Sequence, residues 1–191
     1  MRYIPPHRII TDYNHSTSCA ITYHLAHNPA VQTKLQKELD AALGSEDDPV
    51  SNFEQVKNLP YLQAVIDETL RIHSTSGIGL PRLVPEGGLT VCGKTFPEGT
   101  VLSVPTYSIH REKSVWGEDA ELYRPERWFE RDEALMQKTF NPFSYGPRCV
   151  FVCHRLREHP SSLTSVSQEL RWQKSRVHGI INHHFFDLSS I

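Results

Sequence analysis

Val31, Leu35, Leu39 and Leu43 recur at every fourth position between Asn28-Pro29 and Gly44. That spacing lays four apolar side chains along one stripe of a helix, and such a stripe must be buried against other elements. Its ends are marked. Pro29 suits a first helical position, where its missing N–H would have no partner, and Asn28 can cap. Gly44 suits the residue just past the end. Two neighbouring segments also read as helices. Residues 16–27 read as one helix. Pro60 opens another, over residues 61–73, with Leu62, Val65, Ile66, Thr69 and Leu70 on its apolar face. Between them, Ser45-Glu46-Asp47-Asp48-Pro49 reads as an acidic solvent loop.

Beyond residue 73 the period changes. Residues 89–91, 94–96 and 100–104 read as short strands, with Gly87-Gly88, Gly93 and Pro97-Glu98-Gly99 supplying the turns. Residues 107–145 show weak helical periodicity, and Trp116, Pro125, Trp128 and Pro142 suggest a packed irregular meander. Residues 149–191 hold five of the eleven histidines and no clear apolar pattern. The fold class expected is mainly α with a small β-sheet region.

Composition removes several functions. The formal net charge is -2 with no basic stripe, so nucleic acid is not an expected partner. No apolar run approaches the ~18 residues of a membrane span. Met1-Arg2-Tyr3-Ile4-Pro5-Pro6 lacks the apolar segment of a signal peptide. Cys19, Cys92, Cys149 and Cys153 are irregularly spaced, which favours reduced intracellular thiols over a disulfide framework. Cys19 and Cys92 are expected to be small core or strand residues.

Three motifs carry chemistry. Glu68 and Arg71, three apart on the helix that Pro60 opens, lie within ion-pair reach. Taken alone they read as a solvated pair. Pro125-Glu126-Arg127-Trp128 offers Glu68 a second guanidinium. The segment Phe143-Ser144-Tyr145-Gly146-Pro147-Arg148-Cys149 combines a glycine that lets backbone approach a flat ligand, an arginine that can pair with a carboxylate, and a thiol that can ligate a metal as thiolate.

In this order and spacing the motifs resemble those of the cytochrome P-450 family. Leu80-Pro81-Arg82, Gly87-Gly88-Leu89-Thr90-Val91, Pro97-Glu98-Gly99-Thr100 and Ser108-Ile109-His110-Arg111 continue the likeness, which runs from about residue 12 to 148 and is nearest to filamentous-fungal members. The resemblance implies the C-terminal part of a cytochrome P-450 domain over residues 1–148, followed by an unrelated, poorly ordered tail at 149–191. It implies haem b as cofactor, an NADPH-dependent reductase as partner, and insertion of one oxygen atom from O2 into an apolar small molecule. It implies attachment to the endoplasmic-reticulum membrane, as is usual in the family, although no anchor is read in this chain. Glu68, Arg71 and Arg127 would form the ion network beneath the haem. Arg82 and Arg148 would pair with propionates, Phe143 would pack beside the thiolate, Gly146 would shape the loop and Cys149 would ligate iron, where a thiolate favours O–O cleavage. Asp12 falls on the acidic position of the oxygen-binding helix and is the catalytic residue the resemblance assigns.

The sequence departs from the family pattern at two places. One residue should separate the loop arginine from the cysteine; here Cys149 follows Arg148 directly and Val150 occupies the ligand position. A one-residue shift moves a side chain by about the 3.8 Å between consecutive Cα atoms. At the other end, Tyr13 stands where the family has its proton-delivering threonine, and Ile9-Ile10 stand where it has a small pair. Two alternatives follow. One is a non-catalytic remnant or interaction fragment, which would expose apolar surface where further helices should pack. In a partial chain of this family, replacing Glu68 or Arg71 by Ala is expected to cost very little, against several kcal/mol in a complete enzyme. The other is a small zinc site in the tail from Cys149, Cys153, His154 and His159.

Overall fold

The computed structural model describes residues 6–43, 53–74 and 77–143. Their order is α1 (Pro6–His27), α2 (Pro29–Leu43), α3 (Phe53–Val56), α4 (Pro60–Ile72), β1 (Arg82–Leu83), β2 (Leu89–Val91), β3 (Lys94–Phe96), β4 (Val101–Leu102), α5 (Thr106–Ile109), α6 (Lys113–Trp116), α7 (Arg127–Glu130) and α8 (Glu133–Thr139). Among the described residues the architecture is mainly helical with two small two-stranded sheets.

The stripe of α2 is buried as its spacing requires. Val31, Leu35 and Leu39 pack with Ile21 and Leu25 of α1, Val56 of α3 and Tyr61, Leu62 and Val65 of α4, while Leu43 lies partly buried against them. Each such side chain removed from water contributes about 1.5–3 kcal/mol, so this cluster is the main apolar term for the first half of the chain. Helix α1 begins ten residues earlier than the sequence pattern suggests. Asn28 acts on the helix before it: its side-chain Nδ2 donates to the carbonyl of His24 (2.7 Å), at the end of α1.

Helix α4 has no capping side chain of its own, because Leu59 stands at its N-cap and Pro60 fills the first turn. A neighbouring helix meets the need. The Glu38 carboxylate of α2 accepts from the backbone N–H groups of Tyr61 (2.9 Å) and Leu62 (2.8 Å). A carboxylate at a helix N-terminus meets unpaired donors and the positive end of the dipole together. The interaction fixes the depth at which α4 sits against α2, and so where Glu68 and Arg71 point.

The ribbons follow their turn chemistry. Strands β2 and β3 pair antiparallel with Val91 opposite Lys94, leaving Cys92-Gly93 as a two-residue turn. Both turn residues have positive φ (49° and 75°), the combination that matches the twist of a hairpin. Strand β1 was not legible in the sequence. It pairs with β4 in the register Arg82 with Leu102 and Leu83 with Val101, which trims the expected strand at 100–104 to two residues. The meander carries more helix than its weak periodicity indicates. Helix α8 is too short to show a period, but Asp132 caps it by accepting from the backbone N–H of Ala134 (3.0 Å). Trp116, Ala120 and Met136 form a second core there, with Trp128 and Phe140 against it.

Both described cysteines are free and exposed, Cys19 on α1 and Cys92 in the hairpin turn, so neither is the core residue its small apolar character suggests. No helix among the described residues is long and apolar enough to cross a membrane.

Replacing Glu38 by Ala removes the acceptor for two backbone donors and is expected to lower stability by about 1–2 kcal/mol. Urea denaturation would register this as a lower midpoint at unchanged slope, and Glu38→Gln, which keeps one acceptor oxygen, should lose roughly half as much.

Candidate functional site

A single carboxylate organises the described half of the site. Glu68 lies fully buried on α4. Arg71, one helical turn on, grips it with two parallel bonds, Nε to Oε2 (2.9 Å) and Nη2 to Oε1 (2.8 Å). Arg127 of α7 reaches it from the other side, Nε to Oε1 at 2.9 Å. The backbone N–H of Arg124 (2.9 Å) and the indole N–H of Trp128 (3.1 Å) also donate to it. The arrangement is no solvated pair, since the side chains of Glu68, Arg71 and Arg127 all show 0% exposure.

The two guanidiniums spend their remaining donors on the meander. Nη1 of Arg71 donates to the carbonyls of His110 (2.6 Å) and Ala120 (2.7 Å), and Nη2 also to that of Leu122 (3.2 Å). Arg127 donates to the carbonyls of Trp116, Asp119 and Leu122 and to the Asp119 carboxylate. All five N–H groups of each arginine are thus used, which burial of the charge demands. Asp119 supplies a second negative charge. Burial pushes its carboxyl up, but the hydrogen bond from Arg124 and the charge of Arg127 hold it below the usual carboxylate range.

Glu126, beside Arg127, turns the opposite way. Its carboxylate accepts from the Tyr61 hydroxyl (2.7 Å) and from Lys34 Nζ (3.0 Å). Burial works against its ionisation, yet these two bonds outweigh it and keep the group low; burial and the neighbouring carboxylate push the Tyr61 phenol up. Tyr123 makes a third tie. Its hydroxyl donates to the Val65 carbonyl (3.2 Å) and lies 3.0 Å from the Thr69 hydroxyl, while its ring stacks on His24 of α1 at 4.5 Å. Sequence reasoning missed Tyr123, Asp119, Glu126 and Trp128 as members of this assembly. Glu126 and Trp128 carried a signal, their place in the same turn as Arg127.

His110 stands where the assembly meets the final described segment. Its ring is fully buried, 6.2 Å from Trp116 and 5.4 Å from Phe140, and its Nε2 accepts from the backbone N–H of Asn141 (3.1 Å). Burial pushes its pKa down to about 4, and the charges of Arg71 and Arg111 act the same way. The Arg111 side chain is largely buried, with Nη2 on the Ile72 carbonyl (2.8 Å), Nε on the Glu121 carboxylate (2.9 Å) and its guanidinium over the Tyr107 ring.

A sequence model of the family described as Cytochrome P450 matches residues 12–150. The chain belongs to the cytochrome P450 family. It is 51% identical over 144 residues to a benzoate 4-monooxygenase of Aspergillus niger, an alignment covering 73% of this chain and 28% of that protein. It is 44% identical over 115 residues to a pisatin demethylase of Fusarium vanettenii, covering 60% and 22%. It is 42% identical over 121 residues to a cytochrome P450 monooxygenase of Aspergillus fumigatus, covering 63% and 36%. The chain thus spans about a quarter to a third of the length of these relatives.

Of the residues that the P450 resemblance assigns, the structure brings Glu68, Arg71 and Arg127 into direct contact. Arg82 is exposed on β1. Phe143 is half-buried and directly follows the buried Asn141 and Pro142. Asp12 falls within α1, but its side chain lies outside the described residues, as do Gly146, Arg148 and Cys149. Cys153, His154 and His159 of the zinc alternative lie outside them too, and no metal-holding group of three His, Cys, Asp or Glu occurs among the described residues.

Two outcomes follow from this P450 scaffold. Glu68→Ala leaves two buried guanidiniums without their shared partner and is expected to cost about 3–5 kcal/mol in this chain, because the network is already complete within it; far-ultraviolet circular dichroism during denaturation would read it. For His110, the unfolded imidazole binds protons below about 6.5, whereas the folded one resists them until about 4. Stability should therefore be intact above pH 6.5 and decline as pH falls toward 4, by on the order of 3 kcal/mol, checked by urea midpoints across that range.

Proposed function

We propose that this chain carries the haem-side scaffold of a cytochrome P450 monooxygenase. The reaction would insert one oxygen atom from O2 into an apolar small molecule, with electrons from an NADPH-dependent reductase. The observation that carries the reading is the buried Glu68 carboxylate with its two arginines, set in a chain that matches the family over most of its length. The benzoate and pisatin named for two relatives support a small organic molecule as substrate class.

The described residues suit a flat apolar cofactor with acidic edges. Leu83 and Val101 face each other across the β1–β4 ribbon and are 71% and 62% exposed. Ile78, at 86%, adjoins them through the bond from Ser103 Oγ to its carbonyl. Gly79 lets that segment lie against the backbone of Val104, since a Cβ there would come within 2.1 Å of the Val104 carbonyl oxygen. Arg82 sits on the same ribbon as a cation for a propionate. In this reading Arg82 and Arg148 hold the propionates, Phe143 and Gly146 shape the loop, and Cys149 offers the thiolate. Bound there, haem iron supplies oxygen activation. The protein's own part is to hold the ring, exclude water from its apolar face and, through Asp12, assist proton delivery.

A second reading, a non-catalytic fragment, draws on two facts. Cys149 follows Arg148 without the intervening residue, and the wall of Ile78, Leu83, Val101 and Val104 faces solvent. Titrating ferric haem into the full chain distinguishes them. The scaffold reading expects a saturable Soret change of thiolate type that Cys149→Ser abolishes and Cys153→Ser spares. No saturable change, or one indifferent to Cys149, would leave the fragment reading.

A further inference from the structure

We infer that His110 is a positioning residue, a neutral imidazole that couples the buried Glu68 network to the segment leading into the Arg148–Cys149 loop. The two ends of this residue do different work. Its backbone carbonyl receives Nη1 of Arg71 at 2.6 Å, and its backbone N–H donates to the Thr106 carbonyl at 2.9 Å. The main chain at His110 is therefore tied to the network. Its ring faces the other way, and Nε2 receives the backbone N–H of Asn141 at 3.1 Å. Asn141 and Pro142 are buried, and Phe140 packs by its edge against Trp116 and Trp128. One residue thus joins Arg71 to the chain two positions before Phe143.

The protonation state follows from the geometry. A backbone N–H can only donate, so Nε2 must carry the lone pair and the ring proton must sit on Nδ1. Nδ1 has no hydrogen-bond partner among the described residues. The ring is held in the orientation that serves Asn141, although among the described residues its other nitrogen finds no partner. Without the ring, the buried N–H of Asn141 would lose its acceptor, which is costly. The charges that act on the ring are the cations Arg71 and Arg111, which oppose its protonation, and the Trp116 and Phe140 rings pack beside it. The tie therefore holds across the neutral range.

What the tie means for a cofactor rests on the reading above; the placement of Asn141 does not. The test uses the full chain without haem, so failure of the haem reading leaves it untouched. Nitrogen-15 NMR of the histidine rings should show His110 protonated on Nδ1 and bare on Nε2. Hydrogen exchange at the Asn141 amide should quicken roughly tenfold or more in His110→Phe, which keeps the ring but removes the acceptor. Amides of α4 should keep their protection, and His110→Gln, which restores an acceptor, should recover part of the loss at Asn141. A proton on Nε2 in the unsubstituted chain would overturn the inference. So would unchanged exchange at Asn141 in His110→Phe, or an equal rise throughout α4.

Discussion

The described meander, from His110 to Trp128, depends on one buried negative charge. Glu68 could not sit at zero exposure without donors, and the chain supplies them from three directions: its own helix, the backbone at Arg124 and the turn of Arg127 and Trp128. The arginines recruited for that purpose bring surplus donors. Those donors end on carbonyls at His110, Trp116, Asp119, Ala120 and Leu122, which belong to a stretch with little regular structure of its own. A segment with few backbone ladders has to satisfy its polar groups somehow. Here the guanidiniums do what a sheet or a long helix does elsewhere. Fold and site are thus one construction, because the same bonds that neutralise Glu68 give the meander its shape.

The helical core sets the position of that charge. The apolar stripe of α2 seats α4, and Glu38 fixes its depth by accepting from Tyr61 and Leu62. Tyr61 then reaches Glu126 from the same first turn of α4. The two ends of α4 are consequently pinned to the same four-residue motif, through Glu126 at the start and Arg127 toward the end. Such a double attachment resists rotation of α4 as well as sliding, and Tyr123 on His24 extends it to α1.

The legible and illegible parts of the sequence divide by the range of the interaction. Period and punctuation gave α2, α4 and the β2–β3 hairpin, whose signals are local: a four-residue stripe, a proline at a helix start, a glycine in a turn. Strand β1 escaped because two residues carry no alternation, and only pairing with β4 makes them a strand. Helix α8 escaped because it is two turns long, although Asp132 was there to be read as a cap. The ion network was visible as a set of residue types at family spacing, but its burial was not. A Glu and an Arg three apart look the same in sequence whether water or tryptophan surrounds them. Arg124 contributes through its backbone and His110 through a ring nitrogen facing an amide, and neither leaves any mark in composition.

The scaffold also constrains how the offset of Cys149 could be accommodated. Phe140 lies within aromatic contact of three rings, Asn141 is bonded to His110, and Pro142 is buried. Moving this segment by one residue would carry Phe140 out of its aromatic seat and bring a different amide to His110. For Cys149 to act as a ligand, its direct succession to Arg148 would have to be taken up after Phe143, over about six residues that can span some 20 Å when fully extended. The length of chain is ample for a shift of about 3.8 Å. What limits it is that Gly146 and Arg148 must keep their own places if they are to meet a flat ligand and its carboxylate. The question posed by the displaced cysteine is thus local to that loop. The buried network upstream neither causes the offset nor can relieve it.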